Sequence, residues 1–412
     1  MDATINESLL GAREATELLG IKRETLYAYV SRGLVRSVPG KTSRERQYVR
    51  ADLELLKARH DARAGHAAVA GTALRWGEPV LDSAITRLDP RRGAIHRGHA
   101  AVELAEGDAS FESVASLLWT GRLEETPFHA DSLGLPARML SNLLREPAPL
   151  DLLAVIVPLL GARDLGRFQA NDESERVRAR TLIARLAASL ALITRRRSAL
   201  ERALRAERVA KTLAIALGAN GADAERAINL ALVLCADHEL NASTFAARVT
   251  ASTGADLYAC VSSALATLSG PKHGATCDRI EAMLTEIAAP AQAARVVRER
   301  TRRGESVPGF GHRLYPKGDP RAPPLLDTAL ALGGKEPGVR TVQALVRAMH
   351  EQGREPPTID LGLVAIAAAL RLPPSAAVAM FAIGRTAGWI AHVLEQRSAD
   401  FLLRPRARYV GP

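Results

Sequence analysis

Leu268-Ser269-Gly270-Pro271-Lys272-His273-Gly274-Ala275 separates two stretches of helical character. Gly270 and Pro271 stop the first helix, because proline lacks the N–H that would continue the ladder and its ring collides with the preceding turn. Beyond them, apolar residues at helical spacing predict an amphipathic helix from about residue 276 to 287. His273 falls at the start of that helix. The macrodipole there disfavours imidazolium, so a neutral ring could present an N–H to a developing oxyanion. A capping histidine in a tight loop fits the same residues.

Helix, stop and helix again is the pattern of most of the chain. Ala and Leu dominate while aromatic residues are only 4%, which favours helix over sheet and argues against a base-stacking platform. The 412 residues are 47% apolar and 24% charged, enough for two or three domains and unlike a disulfide scaffold, a disordered chain or a fibre. No period of roughly 20 to 50 residues recurs, which excludes a solenoid. A net charge of +10 admits a polyanionic partner such as nucleic acid or a phosphorylated cofactor, and the Ala- and Arg-rich composition accounts for the surplus equally well.

Cys235, Cys260 and Cys277 are the three cysteines and show no CxxC spacing. Neither a disulfide framework nor a cysteine zinc site is expected, and a reducing cytoplasm suits them. The acidic start, Met1-Asp2-Ala3-Thr4-Ile5-Asn6-Glu7, lacks the basic and apolar regions of a signal peptide, so no export is expected. The apolar runs at 152–162 and 361–370 fall short of the ~20 residues that span a bilayer and read as buried helices, with no membrane partner.

Residues 1–60 form a basic head, 61–74 an Ala/Gly-rich linker, and 75–412 a long helical body. In the head, Ala12 to Leu19 reads as a helix ended by Gly20, and Arg23 to Ser31 as a second after a short turn. Gly33 offers a left-handed helix end, and two short strands, in Leu34 to Gly40 and in Arg46 to Val49, surround a polar loop. Eight basic and two acidic residues lie between Lys22 and Arg50. Lys22, Arg23, Arg32, Arg44 and Arg46 are therefore candidate DNA-phosphate contacts. Glu14-Ala15-Thr16-Glu17-Leu18-Leu19-Gly20-Ile21 and Arg46-Gln47-Tyr48 resemble the MerR-type winged helix-turn-helix. The same module could equally serve only to pack or dimerise.

Four further segments of the body carry polar residues in apolar settings. In Leu234-Cys235-Ala236-Asp237-His238-Glu239-Leu240-Asn241-Ala242-Ser243, His238 and Asn241 stand three apart, able to share a helix face, and Ser243 is a candidate cap. No second histidine sits at the spacing a metal helix needs. The run from Ser306 to Ala322 has neither a P-loop nor a dinucleotide fingerprint. It reads as a rigid loop in which Gly309 and Gly311 let backbone approach a ligand, and His312, Lys317 and Arg321 meet an anion. Asp360 opens an apolar run, either as an N-cap or as a carboxylate whose burial raises its pKa toward that of a general base. Arg385, within Phe381-Ala382-Ile383-Gly384-Arg385-Thr386-Ala387-Gly388-Trp389-Ile390-Ala391-His392, is a guanidinium in an apolar helix and requires an anion.

The ordered set of segments resembles the citrate synthase family over residues 75–412. Besides those quoted, Ile95-His96-Arg97-Gly98-His99, Ser110-Phe111-Glu112-Ser113-Val114-Ala115-Ser116-Leu117-Leu118-Trp119, Asp319-Pro320-Arg321 and Arg404-Pro405-Arg406 carry the likeness. Cys235, Ala275 and Leu361-Gly362-Leu363 depart from the usual pattern of the family. The resemblance implies a mainly α, two-domain fold, with a large domain at about 75–270 and 370–412 and a small one at about 271–369. It implies an acyltransferase joining acetyl-CoA to oxaloacetate through an enolate and a citryl-CoA thioester.

His273, His312 and Asp360 would then be catalytic, and His238, Asn241, Arg321, Arg385 and Arg404 would bind oxaloacetate, Arg404 from the partner subunit of a homodimer. Val307, Pro308, Gly309, Gly311 and Lys317 would meet coenzyme A, with no metal and no tightly bound cofactor. Oxaloacetate is expected to drive closure of the small domain. The rivals are 2-methylcitrate synthase, using propionyl-CoA, and a metabolite-responsive DNA-binding regulator with a sensor body.

Overall fold

The computed structural model describes residues 9–31, 33–40, 46–54, 56–57, 81–136, 139, 148–169, 171–194, 197–274, 276–405 and 411. Two compact units result: Met1–Asp82 together with Arg404–Pro412, and Ser83–Leu403. The linker at 61–74, Arg32, Arg44 and Ala275 lie outside the described residues.

In the first unit, β1 (Leu9–Gly11) runs into α1 (Ala12–Leu19), followed by α2 (Arg23–Ser31), β2 (Ser37–Pro39) and β3 (Arg46–Val49). Gly20 ends α1 with φ of 64°, and Gly33 also takes a left-handed conformation at 71°, as only glycine does without strain. Both helices and the two expected strands fall where periodicity and turn chemistry place them. The third strand was not anticipated: β1 pairs antiparallel with β3, Leu10 opposite Tyr48, making β3 the middle strand. Leu9-Leu10-Gly11 is too short to show alternation. Ala15, Leu19, Leu26, Val35, Tyr48 and Leu53 close a small core beneath this sheet.

The second unit begins with an antiparallel sheet, β4 (Thr86–Asp89), β5 (Gly93–His96) and β6 (His99–Ala100). Helices α3 (Ala101–Glu106), α4 (Phe111–Thr120), α5 (Pro149–Arg163), α6 (Asp172–Ser189), α7 (Arg197–Leu204) and α8 (Val209–Leu217) follow. Next come α9 (Ala222–Cys235), α10 (Ala242–Ser252), α11 (Leu257–Leu268), α12 (Thr276–Ile287) and α13 (Ala293–Arg302). The chain closes with α14 (Ala322–Gly333), α15 (Pro337–Glu351), α16 (Ile359–Ala369) and α17 (Ala376–Ala399). The apolar run at 361–370 falls in α16, which is buried, whereas the run at 152–162 falls in α5, which buries one face and exposes Ala154, Val155, Pro158 and Ala162.

Among the described residues, α17 is the one helix long and apolar enough to span a membrane, yet 89% of that stretch is buried inside the protein. It is the central strut of the core. Glycines let it approach α9: a Cβ on Gly384 would stand 2.8 Å from the Cβ of Cys235, and one on Gly388 would collide with Asp237 Oδ1. Contacts that close leave no room for a methyl group.

Helices α14 and α16 are pressed together in the same way. A Cβ on Gly362 would lie 2.7 Å from Leu325 Cβ, and one on Gly333 would lie 2.7 Å from Ala369 Cα. First turn meets first turn and last meets last, so the two helices run in the same direction while α15 returns the chain between them. Arg321, which precedes α14, is thereby brought to the same end as Asp360 in the first turn of α16.

Candidate active site

The Gly270–Gly274 turn folds back on the end of α11. His273 N–H donates to Gly270 O at 2.9 Å and Gly274 N–H to Leu268 O at 3.0 Å. A Cβ at 274 would strike that same carbonyl, so glycine is required. The half-buried His273 ring places Nε2 2.9 Å from Ser243 Oγ. Burial, reinforced by Arg385, lowers its pKa to about 4, which favours a neutral ring. Ser243 Oγ also accepts from Trp389 Nε1 at 3.1 Å and lies 2.8 Å from Asn241 Oδ1. The hydroxyl has one proton for two acceptors. When it turns to Nε2 of His273, the imidazole carries its own proton on Nδ1.

His238 and Asn241 do not share a helix face. Helix α9 ends at Cys235, and Glu239 takes a left-handed φ of 56°, held by its N–H to Asp237 Oδ2 at 3.1 Å. The cap of α10 is Asn241, whose Oδ1 accepts from Thr244 N–H at 3.0 Å, and not Ser243. That assignment frees Ser243 for His273. In the loop, the buried His238 sets Nε2 2.8 Å from Tyr315 Oη. Burial, with Arg321 and Arg385 adding, holds its pKa well below the ordinary value.

The loop after α13 is tied to the segment before α16 by backbone. Gly311 N–H donates to Pro356 O and Thr358 N–H to Gly309 O, each at 2.9 Å, around a bridge between Phe310 and Pro357. Gly309 and Gly311 have φ of 87° and 78°. Their nearest neighbours are protein, however: a Cβ would meet Ile280 Cδ1 at 2.8 Å or Glu355 Cγ at 3.1 Å. The close approach read from the sequence is thus to this chain's own side chains. Val307 packs on the core, Pro308 is buried, and Lys317 is exposed.

His312 Nδ1 accepts from Leu314 N–H at 3.2 Å. Burial and Arg321 lower its pKa, so the neutral ring keeps its proton on Nε2, ready to donate. The His312 ring lies 5.6 Å from that of His238 and 4.8 Å from that of Tyr315, centroid to centroid.

Arg321 is buried in a two-pronged ion pair, Nε and Nη2 each 2.9 Å from an oxygen of Asp319. Asp319 Oδ2 also accepts from Ile359 N–H at 3.0 Å, which couples Arg321 to the first turn of α16. Asp360 is not the N-cap of that helix; Thr358 is. Asp360 keeps part of its surface open, but its carboxylate lies deep among protein atoms. Burial raises its pKa and Arg321 is the chief opposing influence. Thr358 Oγ1 donates to Oδ2 at 3.2 Å, and Cys277 Sγ lies 3.7 Å from Oδ1.

Cys277 is four residues beyond His273, so Asp360 packs against the first turn of the helix that follows the histidine turn. Arg385 is 1% exposed and donates from Nε to Cys235 O at 2.7 Å. Among the described residues it has no carboxylate within ion-pair distance, and burial lowers its pKa. Two clefts, of ≈ 840 Å³ around Arg178 and ≈ 430 Å³ around Arg397, contain none of these groups. The residues described above pack against one another outside both clefts.

The chain is similar to known proteins over most of its length. The family model "Citrate synthase, C-terminal domain" matches residues 73–406. The chain belongs to the citrate synthase family. Citrate synthase 2 of Bacillus subtilis is 32% identical over 333 residues, covering 76% of this chain and 89% of that one. The 2-methylcitrate synthase 2 of Corynebacterium glutamicum is 31% identical over 360 residues, covering 80% and 92%. Among solved structures, the citrate synthase of Thermoplasma acidophilum in ternary complex with carboxymethyl coenzyme A and oxaloacetate superimposes with a TM-score of 0.69 at 26% identity, covering 81% and 94%. The fold of this citrate synthase family member is therefore mainly helical, as expected.

Arg404 is exposed and falls outside the Ser83–Leu403 unit. Tyr315, Ser243 and Cys277 are not among the site residues expected from the sequence, where Ser243 reads only as a cap, although each touches one that is. Asp319 was quoted only as part of a motif. Its spacing two residues before Arg321 was the one available signal for their ion pair.

Proposed function

We propose that this chain condenses acetyl-CoA with oxaloacetate and hydrolyses the resulting citryl-CoA to citrate and free coenzyme A. The observation that carries it is a buried Arg385 without a carboxylate partner among the described residues, grouped with neutral histidines and a carboxylate of raised pKa. The matched family and the named relatives support the same reaction.

Asp360 takes a proton from the methyl carbon of the thioester. Alone it supplies only about 10²–10⁴-fold. The thioester oxygen, gaining charge as the enolate forms, accepts the Nδ1 proton of His273 in a hydrogen bond once Ser243 has turned its own proton to Nε2. One such donor is worth roughly 3–4 kcal/mol in a preorganised site. The enolate carbon attacks the ketone of oxaloacetate, and His312 Nε2–H donates to the new alkoxide. His238, Asn241, Arg321 and Arg385 hold the oxaloacetate, with Arg404 reaching in from the partner of a homodimer. Water then cleaves the thioester. Val307, Pro308, Gly309, Gly311 and Lys317 form the coenzyme A side, and residues 271–369 close as a small domain over the rest.

Free-thiol release with oxaloacetate plus acetyl-CoA tests this reaction. It should be fast in the wild type and lost in Asp360→Asn and His273→Ala; equal slow rates in all three would leave a sensor rather than an enzyme. Propionyl-CoA in the same assay decides the 2-methylcitrate alternative, since one methylene discriminates by only ~1–3 kcal/mol.

For the head, we propose a MerR-like winged helix-turn-helix that binds duplex DNA. The short α1–α2 turn and the exposed Lys22, Arg23 and Arg46 support this. Duplex binding that weakens steeply with salt is the expected result, and no binding at low ionic strength would reject it.

A further inference from the structure

Asp360 is faced from several elements. Thr358 lies on its own turn, Cys277 on α12, and Arg321 with Asp319 on the loop before α14. Arg385 on α17 and Cys235 at the end of α9 act on it from further away. Of these groups only Cys277 and Thr358 touch the carboxylate. They do so on opposite oxygens, Oδ1 at 3.7 Å and Oδ2 at 3.2 Å. Cys277 is 1% exposed, and it is packed against the residue that must point at substrate.

With Asp360 as the base, as read above, we propose that Cys277 is a positioning residue for the reaction: its S–H holds Asp360 Oδ1 while the Thr358 hydroxyl holds Oδ2, and together they set the plane of the carboxylate. Burial and the neighbouring carboxylate push the thiol well above its ordinary pKa, so it remains protonated and the sulfur donates. A thiol is a weak donor. It orients the oxygen and withdraws part of the basicity that burial has conferred, where a stronger donor in its place would withdraw more.

The test compares Cys277→Ala, Cys277→Val and Cys277→Ser with wild type and with Asp360→Asn, by thiol release from pH 5 upward. Without the donor, in the Ala and Val variants, kcat should fall about tenfold at unchanged KM for oxaloacetate, since small misplacements of a reacting group cost this much or more. The acid limb of kcat/KM should move to higher pH, because a carboxylate relieved of a hydrogen-bond donor holds its proton more tightly. Ser, which restores a donor, should return the limb to the wild-type position or below.

Rates lowered evenly at all pH values, with the limb unmoved, would mean that Cys277 only fills space, and would overturn the proposal. Should Ala fail to fold, Val against Ser makes the same comparison. An active Asp360→Asn would instead remove the base assignment itself. An inactive Asp360→Asn with an unmoved limb in the Cys277 variants removes only the role of Cys277.

Discussion

Arg321 and Arg385 are both buried guanidiniums near the same histidines, and they are held in opposite ways. Arg321 has a carboxylate of its own: Asp319 meets it at two points and passes the contact on to the amide of Ile359. Its pKa is raised above the ordinary value by that partner. Arg385 has a carbonyl, Cys235 O, and its pKa is lowered because burial outweighs Asp237, which acts on it from beyond ion-pair distance. Arg321 already has its charge matched by a carboxylate of the fold. Arg385 carries positive charge that the fold desolvates without fully compensating, and this is what an anionic substrate would supply.

The sharpest way to break that contrast is to replace each arginine by methionine. Arg321→Met strands Asp319 in the interior and should cost about 3–5 kcal/mol of stability in chemical denaturation. Arg385→Met should leave the stability of the unliganded protein unchanged or improved. It should also abolish the stabilisation by oxaloacetate, about 2.7 kcal/mol for wild type at a hundredfold excess over Kd. Equal losses of stability in both variants would show that the two sites are alike.

A smaller effect is expected at Asp360. Its pKa is raised by folding, so the folded state binds the proton more tightly than the unfolded one. The ionised carboxylate therefore costs stability at neutral pH, and that cost disappears as pH falls through the raised value. Asp360→Asn should raise the melting temperature slightly at pH 7, with the gain shrinking in acid. A variant less stable than wild type at pH 7 would indicate that the carboxylate's hydrogen bonds outweigh its desolvation.

Much of the fold was legible from local signals. Gly20, Gly33 and the 276–287 helix follow from backbone preference and periodicity, and each lies where it was read. The misplaced features share a different cause. Asn241 and Ser243 are both good caps by composition, and only the path of the chain decides that Asn241 takes the cap while Ser243 turns to His273. Gly309 and Gly311 were correctly read as close approaches, but what they approach, Ile280 and Glu355, is distant or unremarked in sequence. The contact of Cys277 with Asp360 spans 83 positions. It exists because α12 and α16 begin at the same place, which no window of sequence contains.

The backbone bridge between residues 309–311 and 356–358 has a mechanical consequence. His312, one residue past Gly311, and Asp360, two past Thr358, are carried on segments zipped together by main-chain hydrogen bonds. In the proposed closure the two side chains should therefore move together. Any breathing of the pocket that admits a ligand then separates them jointly from His238 and Arg385, and the amide protons of Gly311 and Thr358 should exchange with solvent as a pair.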